Sequence, residues 1–149
     1  MYSSPIQKIA LVACVSENRN HAVKAEELYI SDWFIKASRY AKMVSDKWYI
    51  LSAKHGIISP DMVINPYNET LNTMRPSERL AWGHKVSRNI EDIIPRGSYA
   101  TILAGTKYRE QIVPLVESRG CTMNIPLPDL RDFAPVYPYT NRRLKERTR

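Results

Sequence analysis

Four short apolar runs alternate along the chain with three segments of helical periodicity. The apolar runs cover residues 9–15, 48–51, 99–104 and 121–125. The first run is uninterrupted and rich in β-branched residues, which is typical of a strand that is buried on both faces. Alternating strands and helices predict right-handed crossovers, a mainly parallel sheet and helices on both of its faces. We therefore predict an α/β fold: a three-layer α/β/α sandwich with a mainly parallel four-stranded sheet.

The first two helical segments show apolar residues at spacings of three and four. These apolar stripes are Phe34, Ala37, Ala41 and Val44 in the first helix, and Trp82, Val86, Ile90 and Ile93 in the second. The first helix is predicted to begin at Ser31 or Asp32, because either side chain can cap a helix. The second is predicted to begin near Pro76 and to end before Pro95.

The third helical segment, residues 107–119, contains a proline in its interior. Thr106 is its predicted N-cap, and Gly120 is its predicted stop. Because Pro114 has no backbone N–H to donate, we expect a kink or a broken turn at this position.

The length and composition of the chain fit one domain. A chain of 149 residues, 44% of them hydrophobic and 25% charged, can bury a single core. We predict one α/β domain over residues 1–140, with an extended Pro-rich segment, residues 126–140, packed on it. Residues 141–149 form a basic tail with five basic residues and one acid, so the tail carries four of the seven net positive charges.

The sequence shows no targeting or membrane signal. No stretch reaches the roughly 18 apolar residues of a membrane span, and the first residues lack the apolar region of a signal peptide. Cys14 and Cys121 are too few for a disulfide framework. The histidines and cysteines also lack the spacing of metal ligands. We expect a cytoplasmic protein with no membrane partner, no metal and no cofactor, and leave the oligomeric state open.

Polar residues follow each of the first three predicted strands. They are Ser16, Glu17, Asn18 and Arg19 after the first strand, Ser52, Lys54, His55 and Gly56 after the second, and Gly105, Thr106 and Lys107 after the third. The carboxyl ends of parallel strands meet at one edge of a sheet, and ligands collect there. We therefore expect these residues to line one rim.

The segment 52–56 is the densest of the three. His55 can give or take a proton near neutral pH. Lys54 could neutralise a phosphate, or act as an amine nucleophile if burial lowers its pKa. Gly56 allows a positive φ or the close approach of a ligand. A polar turn with a solvated lysine is the alternative interpretation.

Two other segments supply candidates. The loop 60–71 is long and polar, as functional loops often are; in it Tyr67 could stack on a base, and Asp61 or Glu69 could orient a water. Each of these three is also a common turn residue. Tyr29 and Ser31 lie just before the first helix, where Ser31 either caps the helix or contributes to an anion site at its N-terminus.

Four sequence blocks carry a family resemblance: Val-Ala-Cys-Val-Ser at 12–16, residues 25–34, Trp-Tyr-Ile-Leu-Ser-Ala-Lys-His-Gly at 48–56, and Ile-Asn-Pro-Tyr at 64–67. Together they resemble a small bacterial and phage domain family of unassigned function. That family is in turn similar to the core domain of archaeosine synthase and, more distantly, to uracil-DNA glycosylases. The resemblance implies a three-layer α/β fold and work on a nucleobase or modified nucleotide in a nucleic acid.

The positions of this chain that match the family are Cys14, Ser16, Tyr29, Ser31, Ser52, Lys54, His55, Gly56 and Tyr67. One departure stands out, because relatives usually place a lysine shortly after the serine of the first block. This chain has Glu17, Asn18 and Arg19 there. Chemistry that needs the lysine amine is therefore in doubt, although Arg19 could keep a phosphate contact.

The leading hypothesis is a glycosylase-like hydrolase that acts on a flipped base of DNA or RNA. Breaking an N-glycosidic bond places negative charge on the base and positive charge on the sugar, so the site needs a donor and a carboxylate or oriented water. His55 is the candidate donor. The carboxylate candidates are Glu17, Asp61 and Glu69, stacking is assigned to Tyr29 or Tyr67, and phosphate contacts are assigned to Arg19, Lys54, Lys107 and the tail.

Two alternatives come from other functional classes. The first is a nucleoside or nucleotide transferase that acts on free small molecules and does not need the basic tail. The second is a binding module that holds a modified base or nucleotide without turnover.

Overall fold

The computed structural model describes residues 6–14 and 18–126. The candidates Ser16 and Glu17, the Pro-rich segment beyond Pro126 and the basic tail lie outside these ranges. In the described ranges, no helix combines the length and the apolar character that a bilayer crossing requires.

Within these ranges seven strands form two sheets. In chain order the strands are β1 (Lys8–Ala13), β2 (Val23–Lys24), β3 (Lys47–Ser52), β4 (Gly56–Ile58), β5 (Val63–Ile64), β6 (Tyr99–Leu103) and β7 (Thr122–Asn124). The main sheet has the strand order β4-β3-β1-β6-β7, and β2 pairs with β5 in a separate two-stranded ribbon. β1 is parallel to β3 and β6, β6 is parallel to β7, and β4 is antiparallel to β3.

The main sheet is mostly parallel, as predicted, but it has five strands rather than four. The additional strand, β4, has three residues and follows β3 after the loop Ala53-Lys54-His55. Its apolar signal is limited to Ile57 and Ile58, which are both buried. Two apolar residues are too few to distinguish a strand from a turn by periodicity, so the sequence predicted only a polar turn here.

Four α-helices and one 3₁₀ turn complete the described part of the chain. They are α1 (Ala25–Leu28), α2 (Asp32–Val44), the 3₁₀ turn (Leu71–Thr73), α3 (Pro76–Ile93) and α4 (Thr106–Glu117). The start of α2 confirms one of the two predicted caps, because the Ser31 hydroxyl oxygen accepts a hydrogen bond from the Phe34 N–H at 3.1 Å. Pro76 is the first residue of α3, where its missing N–H costs nothing.

The helix α4 differs from its prediction at both ends and in the middle. Its N-cap is Gly105 rather than Thr106, and it ends at Glu117, before the predicted end at Arg119. The helix also continues through Pro114 without interruption. Proline removes one hydrogen bond inside the helix, but Ile112 and Val116 are fully buried and hold the turns around it against the core.

Helices cover both faces of the main sheet because successive residues of β1 point to opposite sides. Ala10 and Val12 belong to the buried cluster that contains the apolar side of α2, including Phe34. Ile9 and Leu11 belong to a second cluster, which contains the apolar sides of α3 and α4. The three layers are therefore α2, the sheet, and the pair α3 and α4.

The strand order reverses beside β1, and this reversal locates the candidate site. The chain passes from β1 over α2 on one face to β3, and then returns over α3 on the other face to β6. In open α/β sheets, ligands bind outside the carboxyl ends of the strands at such a reversal. The residues that follow β1, β3 and β6 lie at this edge of the sheet, and we call the region outside these strand ends the crevice.

Candidate functional site

The hydroxyl of Tyr67 is the centre of a buried polar cluster at the carboxyl ends of β1 and β3. It lies 2.5 Å from the Tyr29 hydroxyl, 2.6 Å from the Ser52 hydroxyl and 3.3 Å from the Cys14 thiol. A phenolic hydroxyl has one proton to donate and two lone pairs to accept, so these three contacts use its full capacity. We call Cys14, Tyr29, Ser52 and Tyr67 the tyrosine cluster.

Each member of the tyrosine cluster is brought in by a different part of the chain. Cys14 directly follows β1, and its backbone N–H donates to the Leu51 carbonyl at 3.2 Å. Ser52 is the last residue of β3, and Tyr29 lies between α1 and α2. Tyr67 lies in the loop after β5. The four side chains meet only because the two parallel strands end at the same edge.

Burial keeps the tyrosine cluster uncharged. Removal from solvent raises the pKa of the Tyr67 and Tyr29 phenols well above their ordinary value. It also raises the pKa of the Cys14 thiol, which a hydrogen bond from Tyr67 lowers only in part. Cys14 is therefore a thiol and not a thiolate near neutral pH, which makes it a poor nucleophile. The cluster offers neutral donors and acceptors, whose hydroxyl protons can rotate between partners.

A tight hairpin between β3 and β4 places Lys54 and His55 beside the tyrosine cluster. The His55 N–H donates to the Ser52 hydroxyl oxygen at 3.0 Å, and Gly56 closes the loop with a φ of 85°. This left-handed conformation favours glycine over any other residue. The His55 ring meets the Tyr67 ring edge-on, with 5.4 Å between the ring centroids.

Three side chains of α3, one turn apart, hold this hairpin. The Trp82 indole N–H donates to the Ser52 carbonyl at 2.9 Å, and the Lys85 ammonium donates to the Lys54 carbonyl at 2.8 Å. The Asn89 side-chain oxygen accepts from the Ile57 N–H at 3.3 Å. Spacings of three and four residues place all three on one side of the helix. The hairpin is therefore fixed by a helix and not only by its own turn.

His55 is neutral near physiological pH. Partial burial lowers the pKa of its imidazole below the ordinary 6.5, and the positive charges of Lys54 and Lys85 lower it further. The carboxylate of Glu69 acts in the opposite direction but does not reverse the shift. A neutral imidazole carries one N–H donor and one acceptor nitrogen, so His55 can donate a hydrogen bond without carrying a charge.

The other predicted site residues divide between this region and purely structural positions. Ser31 is buried as the cap of α2, and the Arg19 guanidinium donates to the Glu27 carbonyl of α1 at 2.8 Å. Asp61 is exposed in the turn before β5, and no contact joins it to the tyrosine cluster within the described ranges. Gly105 is the buried N-cap of α4, and Lys107 is half-buried in its first turn.

Tyr29 and Tyr67 lie in the core, with 2% and 8% of their surface exposed. They present hydroxyl groups to one another rather than open ring faces to the crevice. The structure therefore gives them a hydrogen-bonding position, whereas the sequence suggested a stacking surface.

The sequence placed Asn18 at the rim without a role, and its side-chain amide donates to the Tyr67 carbonyl at 3.0 Å. Four residues of the site were not among the sequence candidates. Three of them, Trp82, Lys85 and Asn89, hold the hairpin. The fourth is Tyr108, whose hydroxyl is buried near Cys14, and burial raises the pKa of this phenol. Trp82 and Tyr108 belong to the apolar stripes of their helices, so the sequence pattern does not distinguish them from ordinary core residues.

Replacing Tyr67 with phenylalanine is expected to lower the free energy of unfolding by about 1–3 kcal/mol. The change leaves buried hydroxyls of Tyr29 and Ser52 without their shared partner, and the desolvation of these groups is then uncompensated. Denaturant titration of both proteins measures the difference. Tyr49→Phe, which alters a half-buried tyrosine of β3, is the matched control and is expected to change stability much less. Equal stability of Tyr67→Phe and the wild type would show that the cluster does not contribute as described.

Comparison with known proteins gives this site a family context. A relative, "Uncharacterized protein YfjM" of Bacillus subtilis (strain 168), is 30% identical over 132 residues, which cover 84% of this chain and 83% of that protein. No solved structure matches the chain. Residues 9–132, which include the tyrosine cluster and all but the first residue of the main sheet, match the sequence family DUF6884, a family of unknown function. The chain belongs to this family.

Proposed function

We propose that this protein hydrolyses the bond between a nucleobase and its sugar in a nucleic acid. The observation that carries the proposal is a neutral histidine, His55, fixed at the crevice between buried neutral hydroxyls and two lysines. A second support is the resemblance of four sequence blocks to a family of unassigned function that is in turn similar to the core domain of archaeosine synthase and, more distantly, to uracil-DNA glycosylases. The partner in this proposal is DNA or RNA.

The chemistry requires two kinds of group. In the hydrolysis, the C–N bond breaks with its electron pair leaving on the base, water oxygen bonds to the sugar carbon, and the proton of water reaches the base. A donor near the base and an acceptor near the water therefore stabilise the transition state. His55 donates its N–H to the departing base. It does so from a neutral state, while the lysines beside it favour the negative charge that develops there.

Glu69 is the described carboxylate best suited to orient the water. Both Glu69 and Asp61 are exposed, but the charge of Glu69 raises the pKa of the nearby His55 imidazole, and that of Asp61 has no such effect. Glu17 remains a candidate from the segment outside the described ranges. The tyrosine cluster suits the polar edge of a base, because its hydroxyls can each donate or accept.

Release of free base is the direct test of this proposal. The purified protein is incubated with modified and unmodified DNA and RNA, and free bases are measured by mass spectrometry. The proposal expects release from at least one substrate, and a matched reaction without protein sets the background. No release from any of them, with an intact fold and tight binding to nucleic acid, would leave a binding module instead. Release from free nucleosides alone, insensitive to salt and to deletion of residues 141–149, would favour the nucleoside transferase.

A further inference from the structure

Two lysines without an acidic partner in the described ranges, Lys54 and Lys85, lie at the hairpin. The ammonium of Lys85, on α3, is 2.8 Å from the carbonyl oxygen of Lys54, at the tip of the hairpin. Both side chains are exposed, and neither forms an ion pair with the described residues. Two other lysines have acidic partners: Lys36 pairs with Asp32 at 2.9 Å, and Lys42 pairs with Glu26 at 3.2 Å.

The position of the Lys85 ammonium is set by the fold. An ammonium group has three N–H donors, and the Lys54 carbonyl takes one of them, so two remain to bind a ligand. The side chain also lies against the Gly56 backbone, where a Cβ added at Gly56 would be 3.5 Å from Lys85 Cε. A fixed ammonium loses less conformational entropy on binding than a freely rotating one. Lys85 therefore differs from an ordinary solvated surface lysine.

We propose that Lys54 and Lys85 together bind a phosphate group of the nucleotide whose base enters the crevice. This inference rests on the proposed function and extends it by naming the residues that hold the backbone. Lysine ammonium groups are compact charges that suit phosphate oxygens. The positive charges of both lysines act on His55, so an anion beside this imidazole is attracted by both.

The geometry favours Lys85 over Arg19, the phosphate contact suggested by the sequence. The Arg19 Nε donates to the Glu27 carbonyl at 2.8 Å, which holds this guanidinium beside α1 rather than beside the hairpin. The Lys85 ammonium is bound to the carbonyl of Lys54, the residue before His55, and the positive charges of Lys54 and Lys85 both lower the pKa of the imidazole. A phosphate bound here is therefore adjacent to the group that acts on the base.

Lys85 also holds the hairpin through the Lys54 carbonyl, so a control variant is needed to separate this role from phosphate binding. Asn89 holds the same hairpin through the Ile57 N–H but carries no charge. Asn89→Ala therefore loosens the hairpin without removing a cation. Arg39→Ala removes an exposed cation from α2, on the opposite face of the sheet. If loosening the hairpin is what weakens binding, Asn89→Ala weakens it as much as the loss of Lys85 does. If the loss of net charge is what weakens binding, Arg39→Ala does so.

The test is the salt dependence of binding to a single-stranded oligonucleotide of about 12 nucleotides, a length that single-strand-binding folds cover. Lys85→Met is expected to weaken binding about 3- to 10-fold at 0.1 M salt, and to reduce the slope of log K against log salt by about 0.7, the value of one phosphate contact. Lys54→Met is expected to act similarly, Lys85→Arg to retain most of the affinity, and both controls to keep the wild-type slope.

Further ligands identify the source of the phosphate. A nucleoside, which has no phosphate, is expected to bind Lys85→Met and the wild type equally. If the site binds the phosphate of a free nucleotide, a nucleoside monophosphate is expected to bind Lys85→Met more weakly than the wild type. An unchanged slope in Lys85→Met, an equal loss in Asn89→Ala, or no binding of any phosphate-bearing ligand by the wild type would overturn the inference. Base release with an unchanged slope would overturn the phosphate site alone. A reduced slope without base release would overturn the hydrolase alone.

Discussion

Replacing His55 with alanine is expected to lower the rate constant of base release by about two orders of magnitude. The variant removes the imidazole N–H that the proposed mechanism directs at the departing base. It keeps the backbone N–H that donates to Ser52, so the hairpin is expected to remain folded. Single-turnover release, measured by mass spectrometry on the best substrate, gives the rate constant.

The matched control is His84→Ala, an exposed histidine on α3 outside the hairpin, which is expected to release base at the wild-type rate. The pH profile adds a second criterion. Because burial and the neighbouring lysines lower the pKa of His55, the imidazole is neutral at and above neutral pH, and the wild-type rate constant is expected to be flat there. At lower pH the charged imidazole is a stronger donor to the departing base, so the rate constant is expected to rise in the wild type and not in His55→Ala. Wild-type turnover in His55→Ala would remove this residue from the site.

Replacing Trp82 with alanine is expected to lower the free energy of unfolding by about 3–5 kcal/mol, the usual cost of emptying a buried tryptophan site. Only 4% of the Trp82 surface is exposed, and its ring packs edge-on against Tyr108 with 5.5 Å between the centroids. The change also leaves the buried Ser52 carbonyl without its indole donor. Denaturant titration followed by circular dichroism measures the loss.

Two further variants make the Trp82 result specific. Trp82→Phe keeps one apolar ring but removes the indole N–H and part of the ring system, so a smaller loss of about 1–3 kcal/mol is expected. Trp48→Ala, at a half-buried tryptophan on the α2 side of the sheet, is expected to cost less than Trp82→Ala. If Trp82→Ala were no less stable than Trp48→Ala, the described anchoring of the hairpin would be wrong.

The elements that the sequence predicted well have local causes. The strand β1 is a continuous apolar run, and α2 begins where a serine can cap it. The start of α3 follows from a proline that suits the first helical turn. Each of these signals lies within a few residues of the element it specifies, so reading neighbours along the chain is sufficient.

The remaining features depend on contacts between distant residues. The strand β4 is stabilised by pairing with β3 and by Asn89, which is 32 residues from its partner Ile57. The tyrosine cluster joins Cys14 to Tyr67 across 53 positions. Strand topology alone placed Ser52 at the predicted rim, whereas Tyr29 and Tyr67 were candidates on separate segments. The sequence could not show that Tyr67 binds the other three cluster members through its hydroxyl, or that Lys85 reaches the hairpin.

The small β2–β5 ribbon connects the two segments that form the wall of the site, which are the segment that leads to Tyr29 and the segment that leads to Tyr67. Its antiparallel pairing is extended by the Ala25 N–H, which donates to the Met62 carbonyl at 2.7 Å, and the Glu26 N–H, which donates to the Pro60 carbonyl at 3.0 Å. The segments that lead to Tyr29 and to Tyr67 are thereby joined through their backbones. Local unfolding of either segment breaks the hydrogen bonds of both, so this wall opens as a single cooperative unit, in the manner of a foldon.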